Sequence, residues 1–179
     1  MFEEYLQDSY DFFITAQKAS EESDDRKARR YYRASVFYAA SAMEAFVNYT
    51  ADAFAKGESL SPHEIAFLND RILTFSSKKG ELVEQTKYYS IDDKLRFLLR
   101  MFVPDFEFGT NTSWTKFMEF KNFRDSLVHP RQSEDETEVA DYQKKTRRGI
   151  SGTIELMDYL SRGMYKTPLR KQLVDLIPE

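Results

Sequence analysis

Large apolar residues recur every three or four positions along most of this chain, the spacing of one buried helix face. From Phe2 to about Ala19 the spacing of Phe2, Leu6, Tyr10, Phe13 and Ile14 predicts an amphipathic helix, with the charged stretch Glu21–Asp25 as its connection. Asp24 or Asp25 caps a long second helix reaching about Lys56, where Gly57 supplies a stop. Its centre mixes Val36, Phe37, Met43, Phe46, Val47 and Phe54 with Ala39, Ala40, Ser41, Ala42 and Ala45, small enough to let a partner helix come close. This is the predicted core helix.

Ser61-Pro62-His63-Glu64 combines a cap, a proline at the first helical position and a glutamate three residues on, a strong helix start. That third helix runs through Ile65, Leu68 and Ile72 toward Phe75, and residues 76–89 read as mostly loop. Ser90 opens a fourth, with Ile91, Leu95, Leu98, Leu99 and Phe102 inward, until Pro104 and Gly109 break the pattern. A fifth spans about Ser113 to His129, with Trp114, Phe117, Phe120, Phe123 and Leu127 on one side. Pro130 ends it by pushing the preceding residue out of the helical region. After an acidic linker at 132–137, Ile150, Ile154, Met157, Leu160 and Met164 mark a last long helix. The expectation is an all-α bundle of about five to six helices in a single domain, residues 1–165. A short extension, 166–179, has Leu169, Leu173 and Ile177 ready to dock on the body or on a second subunit.

Composition narrows the function. Gly and Pro number only 6 and 5, against 15 Phe and 11 Tyr, which favours helices over a turn-rich fold. With no cysteine, disulfides, thiolate nucleophiles and cysteine-held metals are excluded. The N-terminus is acidic and has no signal-peptide pattern, and no apolar run approaches the ~20 residues that cross a bilayer. A soluble, cytoplasmic protein without membrane contact is the expectation. The net charge of −4 makes nucleic acid a matter of local patches. Two basic clusters qualify, Arg26, Lys27, Arg29, Arg30 and Arg33, and Lys144, Lys145, Arg147 and Arg148, although a solvated helix face is the commoner meaning of such runs.

Nucleotide-binding glycine loops, the serine-hydrolase elbow and the H-E-x-x-H metal motif are all missing. Of the two histidines, His63 lies in the first turn of a capped helix and reads as an exposed polar residue. His129 closes the aromatic fifth helix in the string Arg124-Asp125-Ser126-Leu127-Val128-His129. Asp125 and His129, four apart, fall on one helix face within reach of each other. Arg124 lies about 140° around the helix from His129 at roughly 100° per residue, and its long side chain can engage a phosphate or an acidic partner. Glu44, among apolar residues of the second helix, is a reasonable partner for Arg124, and Asn48 follows one turn later.

The R-x4-H string, with a polar residue after the arginine and at the end of the penultimate long helix, resembles the motif of the HEPN family. Glu44-x-x-x-Asn48 is similar to a helix-embedded E-x-x-x-N stretch of some prokaryotic branches, and with helix order the likeness covers roughly residues 30–165. It implies a HEPN-like bundle, metal-independent endoribonuclease activity without a cofactor, RNA as substrate, and a homodimer that joins two motifs in one cleft. It also implies a toxin–antitoxin or defence setting with an antitoxin-type protein partner. Arg124, His129 and Asp125 would then be catalytic, with Glu44, Asn48 and Ser126 supporting. Two other readings stay open: a non-catalytic module binding a partner protein, nucleotide or RNA, and a helical interaction protein whose match is accidental.

Overall fold

The computed structural model describes residues 1–55, 60–129 and 137–178. Along these the order is α1 (Phe2–Glu21), α2 (Asp25–Ala55), α3 (Pro62–Leu68), β1 (Arg71–Ser76), β2 (Glu81–Thr86), α4 (Ile91–Phe102), α5 (Thr112–Val128), α6 (Val139–Tyr165) and α7 (Lys171–Val174). The fold is an all-α bundle carrying one small antiparallel hairpin. The Gly57 stop, the Pro130 break and most of the 132–137 linker lie outside the described residues.

Two antiparallel helix pairs make the body: α1 with α2, and α5 with α6, joined where α6 packs on α2. Leu6, Phe13, Val36, Met43, Val47, Ile150, Ile154, Met157 and Leu160 are buried there in one continuous core. Each such side chain contributes about 1.5–3 kcal/mol relative to exposure, before the cost of ordering it. Ser23 turns the chain between α1 and α2 with φ of 60°, and Asp24 caps α2 by accepting the Lys27 amide at 3.0 Å. The small residues of α2 do admit α1 closely. Ser9 and Ser35 meet across the pair, each hydroxyl donating to the other's carbonyl, at 2.9 and 2.7 Å.

The α5–α6 contact is tighter than the sequence suggested. A Cβ added to Gly152 on α6 would stand 2.7 Å from the Lys116 Cβ and 2.9 Å from the backbone nitrogen of Phe117. One turn on, Glu155 accepts from Ser113 at 2.6 Å, Ser151 at 2.8 Å and Lys116 at 2.7 Å, a polar clamp between the two helices. Burial alone would raise the Glu155 carboxyl, but hydrogen bonds from Lys116, Ser113 and Ser151, with the Lys116 charge, hold it below its usual range.

The capping box at Ser61 and Glu64 forms as expected, but α3 ends at Leu68 and Asp70 takes φ of 56°. Ile72 and Phe75 therefore lie on β1, and residues 81–86 of the expected loop form β2, with Phe75 opposite Leu82 and Leu73 opposite Glu84. Leu68, Ile72 and Phe75 fit a helical spacing, yet the left-handed Asp70 stops the helix. Gly80, at φ of 70°, closes the hairpin. The 166–179 extension docks in cis: Leu169, Leu173 and Leu176 join the core as α7 lies against α1 and α6. Among the described residues no helix is long and apolar enough to cross a membrane.

Candidate active site

Asn111 starts α5 by accepting the Trp114 amide at 2.9 Å, a cap the sequence reading passed over. Trp114, Phe117, Phe120 and Phe123 are buried, which orients α5 and aims Arg124 across the bundle at α2. Its Nη2 donates to Glu44 Oε1 at 2.8 Å and its Nη1 to Asp125 Oδ1 at 2.9 Å. The partnership expected between Arg124 and Glu44 is present, with Glu44 half exposed (51%) rather than buried and Arg124 only 27% exposed.

Asp125 does not reach the histidine. Its carboxylate is taken by Arg124 and by Lys121, whose Nζ lies 3.3 Å from Oδ2. Lys121 in turn approaches Asp92 of α4 at 3.5 Å. Glu44, Arg124, Asp125, Lys121 and Asp92 thus form one ionic chain joining α2, α5 and α4. The reason lies in where α5 stops. Helical geometry ends at Val128, and His129 is a C-cap with φ of −122° and ψ of 67°. The i to i+4 relation survives in the backbone, where the His129 amide donates to the Asp125 carbonyl at 3.0 Å, but not between the side chains. The imidazole is exposed and makes no hydrogen bond among the described residues. Lys121 and Asp92 were missed from sequence, although the four-residue spacing of Lys121 and Asp125 was the available signal.

Ser126 donates its hydroxyl to the Phe123 carbonyl at 2.6 Å, so that donor is spent within α5. Asn48 is exposed on α2 and lines, with Glu44, a cleft of about 920 Å³ whose walls include Phe2, Tyr49, Asp52 and Tyr165. Arg124 and His129 do not line it. Arg124 borders a crevice of about 10 Å³, too small for a ligand.

The two basic clusters each border a hollow. Lys144, Lys145 and Arg148 stand beside Ser126 along an α5–α6 groove of about 500 Å³. There Arg148 is engaged by Glu119 at 2.9 Å, and Lys145 lies 5.0 Å from the Phe123 ring centroid. Arg26, Lys27, Arg30 and Arg33 surround another of about 490 Å³ with Asp24. His63 is exposed, as read from sequence. Among the described residues no three His, Asp or Glu side chains gather as metal ligands. Compared with family models, curated proteins and solved structures, the chain finds no match in any of them.

Proposed function

We propose that this chain is a metal-independent endoribonuclease of HEPN type, acting as a homodimer with a composite Arg124/His129 site in a toxin–antitoxin or defence system. One observation carries the reading. The two stretches on which the family likeness rests, 124–129 and 44–48, meet through the 2.8 Å bond from Arg124 to Glu44. His129 is exposed at the end of the same helix, where an incoming strand has access to it.

In the proposed reaction His129 takes the proton of a ribose 2′-hydroxyl. The 2′-oxygen bonds to phosphorus, the bond to the 5′-oxygen breaks, and His129 of the second copy protonates that leaving oxygen. Arg124 stabilises the charge on the equatorial phosphoryl oxygens. Asp125 is assigned to positioning Arg124 rather than to tuning His129, since its carboxylate lies on the guanidinium. Incubation of RNA with the protein in EDTA tests this. His129→Ala and Arg124→Ala should each slow cleavage by roughly a hundredfold or more. Cleavage that survives both substitutions, or its absence in the wild type across diverse RNAs, rules the reaction out.

A second reading is favoured by the same ionic chain. Three carboxylates surround two cations there, so Arg124 is already occupied and the local charge is unfavourable to a phosphate. On that reading the chain is a non-catalytic module that binds a partner protein, nucleotide or RNA, and the Arg124–Glu44 pair is structural. RNA or nucleotide bound but uncut, with affinity indifferent to His129→Ala, distinguishes it.

A further inference from the structure

Apart from the terminal Met1, the three most exposed large apolar side chains all belong to the β1–β2 hairpin and its return strand: Phe75 at 64%, Leu82 at 62% and Tyr88 at 85%. Phe75 and Leu82 are direct cross-strand partners beside the turn, and Leu73 shares their face. Glu84, opposite Leu73, and Arg71 lie on the same face toward the root and pair with each other, so the apolar pair occupies the tip end. An exposed apolar pair of this kind in a folded chain marks a contact surface. Each strand also has one hydrogen-bonding edge with no neighbour among the described residues.

The hairpin is fixed at its base. Asp70 accepts the Tyr89 amide at 2.9 Å and the Lys94 ammonium at 2.7 Å, while its carbonyl accepts the Lys87 amide at 2.9 Å. Lys94 is almost fully buried in that ion pair. Tyr89 packs on Phe67, 4.5 Å between ring centroids, and Phe67 on Phe97. A firm root thus carries a tip whose apolar side chains are mostly exposed among the described residues.

Charge identifies the occupant. Residues 71–88 carry four cations, Arg71, Lys78, Lys79 and Lys87, against two carboxylates, Glu81 and Glu84, in a chain of net −4. The arm is therefore +2 and the rest of the molecule −6, so an arm from one copy is complementary to the body of another. Position agrees. The arm runs directly into the start of α4, where Asp92 touches Lys121 of the motif helix. We infer that the β1–β2 hairpin is a dimerisation arm, exchanged between two copies about a two-fold axis, with Phe75 and Leu82 as its apolar anchors. This inference rests on the dimeric reading above and names the surface that makes the dimer.

Sedimentation of the wild type and of Phe75→Ser/Leu82→Ser tests it, with a thermal melt of each. Both side chains point into solvent, so the melt of the monomeric species should not change. The wild type should sediment as a dimer and the variant associate about thirtyfold more weakly or worse, the mark of a lost interface anchor. Because the chain has no cysteine, Lys78→Cys carrying a photo-crosslinker should yield covalent dimer, which checks the arm even if the double variant misfolds. A monomeric wild type overturns the inference, and so does a double variant that remains a dimer. A variant that loses RNA or anionic-vesicle binding but keeps its association state reassigns the arm and overturns it too. RNA cleavage is scored separately. A dimer that depends on the arm but cuts no RNA removes the ribonuclease and leaves the arm, whereas cleavage by an arm-independent dimer does the reverse.

Discussion

Gly152→Ala sets two known effects against each other, and the structure decides which is larger. In an unconstrained helix interior, alanine is about 1 kcal/mol better than glycine. At this position the new methyl would stand 2.9 Å from the Phe117 nitrogen and 3.1 Å from the Ser113 carbonyl oxygen, both backbone atoms of α5. Neither can swing aside, so α5 and α6 must part by about 0.5 Å to reach ordinary contact, a gap that forfeits a quarter or more of the dispersion attraction of each facing pair. The separation also stretches the Glu155 clamp beside it. Overpacking of this kind costs about 1–3 kcal/mol, so about 0–2 kcal/mol of net loss remains after the helical gain. Urea unfolding followed by circular dichroism measures this directly, and the melting temperature should fall by about 2–4 °C per kcal/mol in a chain of this size. Gly149→Ala is the internal comparison. Its methyl would overlap the ring of the buried Phe120, standing 2.5 Å from Cγ, so it too should destabilise, through a core side chain rather than the α5 backbone. A Gly152→Ala protein more stable than wild type by about 1 kcal/mol, the gain of an open helix position, would refute the close α5–α6 approach.

Two further outcomes follow from ionisation. The Glu155 carboxyl is held below its ordinary 4.5 in the folded chain, so it contributes stability that is complete above about pH 5 and is lost as pH falls through its folded value. Glu155→Gln should be less stable at pH 7 and show a flatter decline below pH 5; parallel stability curves for the two proteins would contradict the clamp. Tyr32 has a buried hydroxyl with no hydrogen-bond partner among the described residues, and burial pushes it up to about 12. Its contribution is complete below pH 10 and is lost as pH rises toward 12, so Tyr32→Phe should match or exceed wild type at pH 7 by up to about 1 kcal/mol and resist alkali better. A marked loss at neutral pH would reveal a bond to that hydroxyl.

The helices and their buried faces were legible because burial on a helix leaves a three-to-four spacing, and α5 shows it from Trp114 to Phe123. The hairpin was not legible. Leu68, Ile72 and Phe75 satisfy a helical spacing, and β2 has too few apolar residues to announce itself. A single residue, Asp70 in the left-handed region, separated the two outcomes. Within the candidate site, the pairing of Arg124 with Glu44 was expected for a buried carboxylate, and it forms although Glu44 is half exposed. Asp125 with His129 was misread because the i to i+4 rule presumes a helix that continues, and this one ends between them. Gly149 and Gly152 gave no warning, since a glycine at a helix contact differs in sequence from any other only by what stands opposite.

The reciprocal bonds of Ser9 and Ser35 act as a polar check on a register that apolar packing already favours. Leu6 and Phe13 of α1 and Tyr32 and Val36 of α2 are buried only in the observed setting. A slide of one residue moves a helix 1.5 Å and turns it by about 100°. It would break both hydroxyl bonds together and leave two buried donors unpaired, at about 1–3 kcal/mol each. Those two serines therefore help to hold the height of α2 in the bundle, and with it the level at which Glu44 faces Arg124.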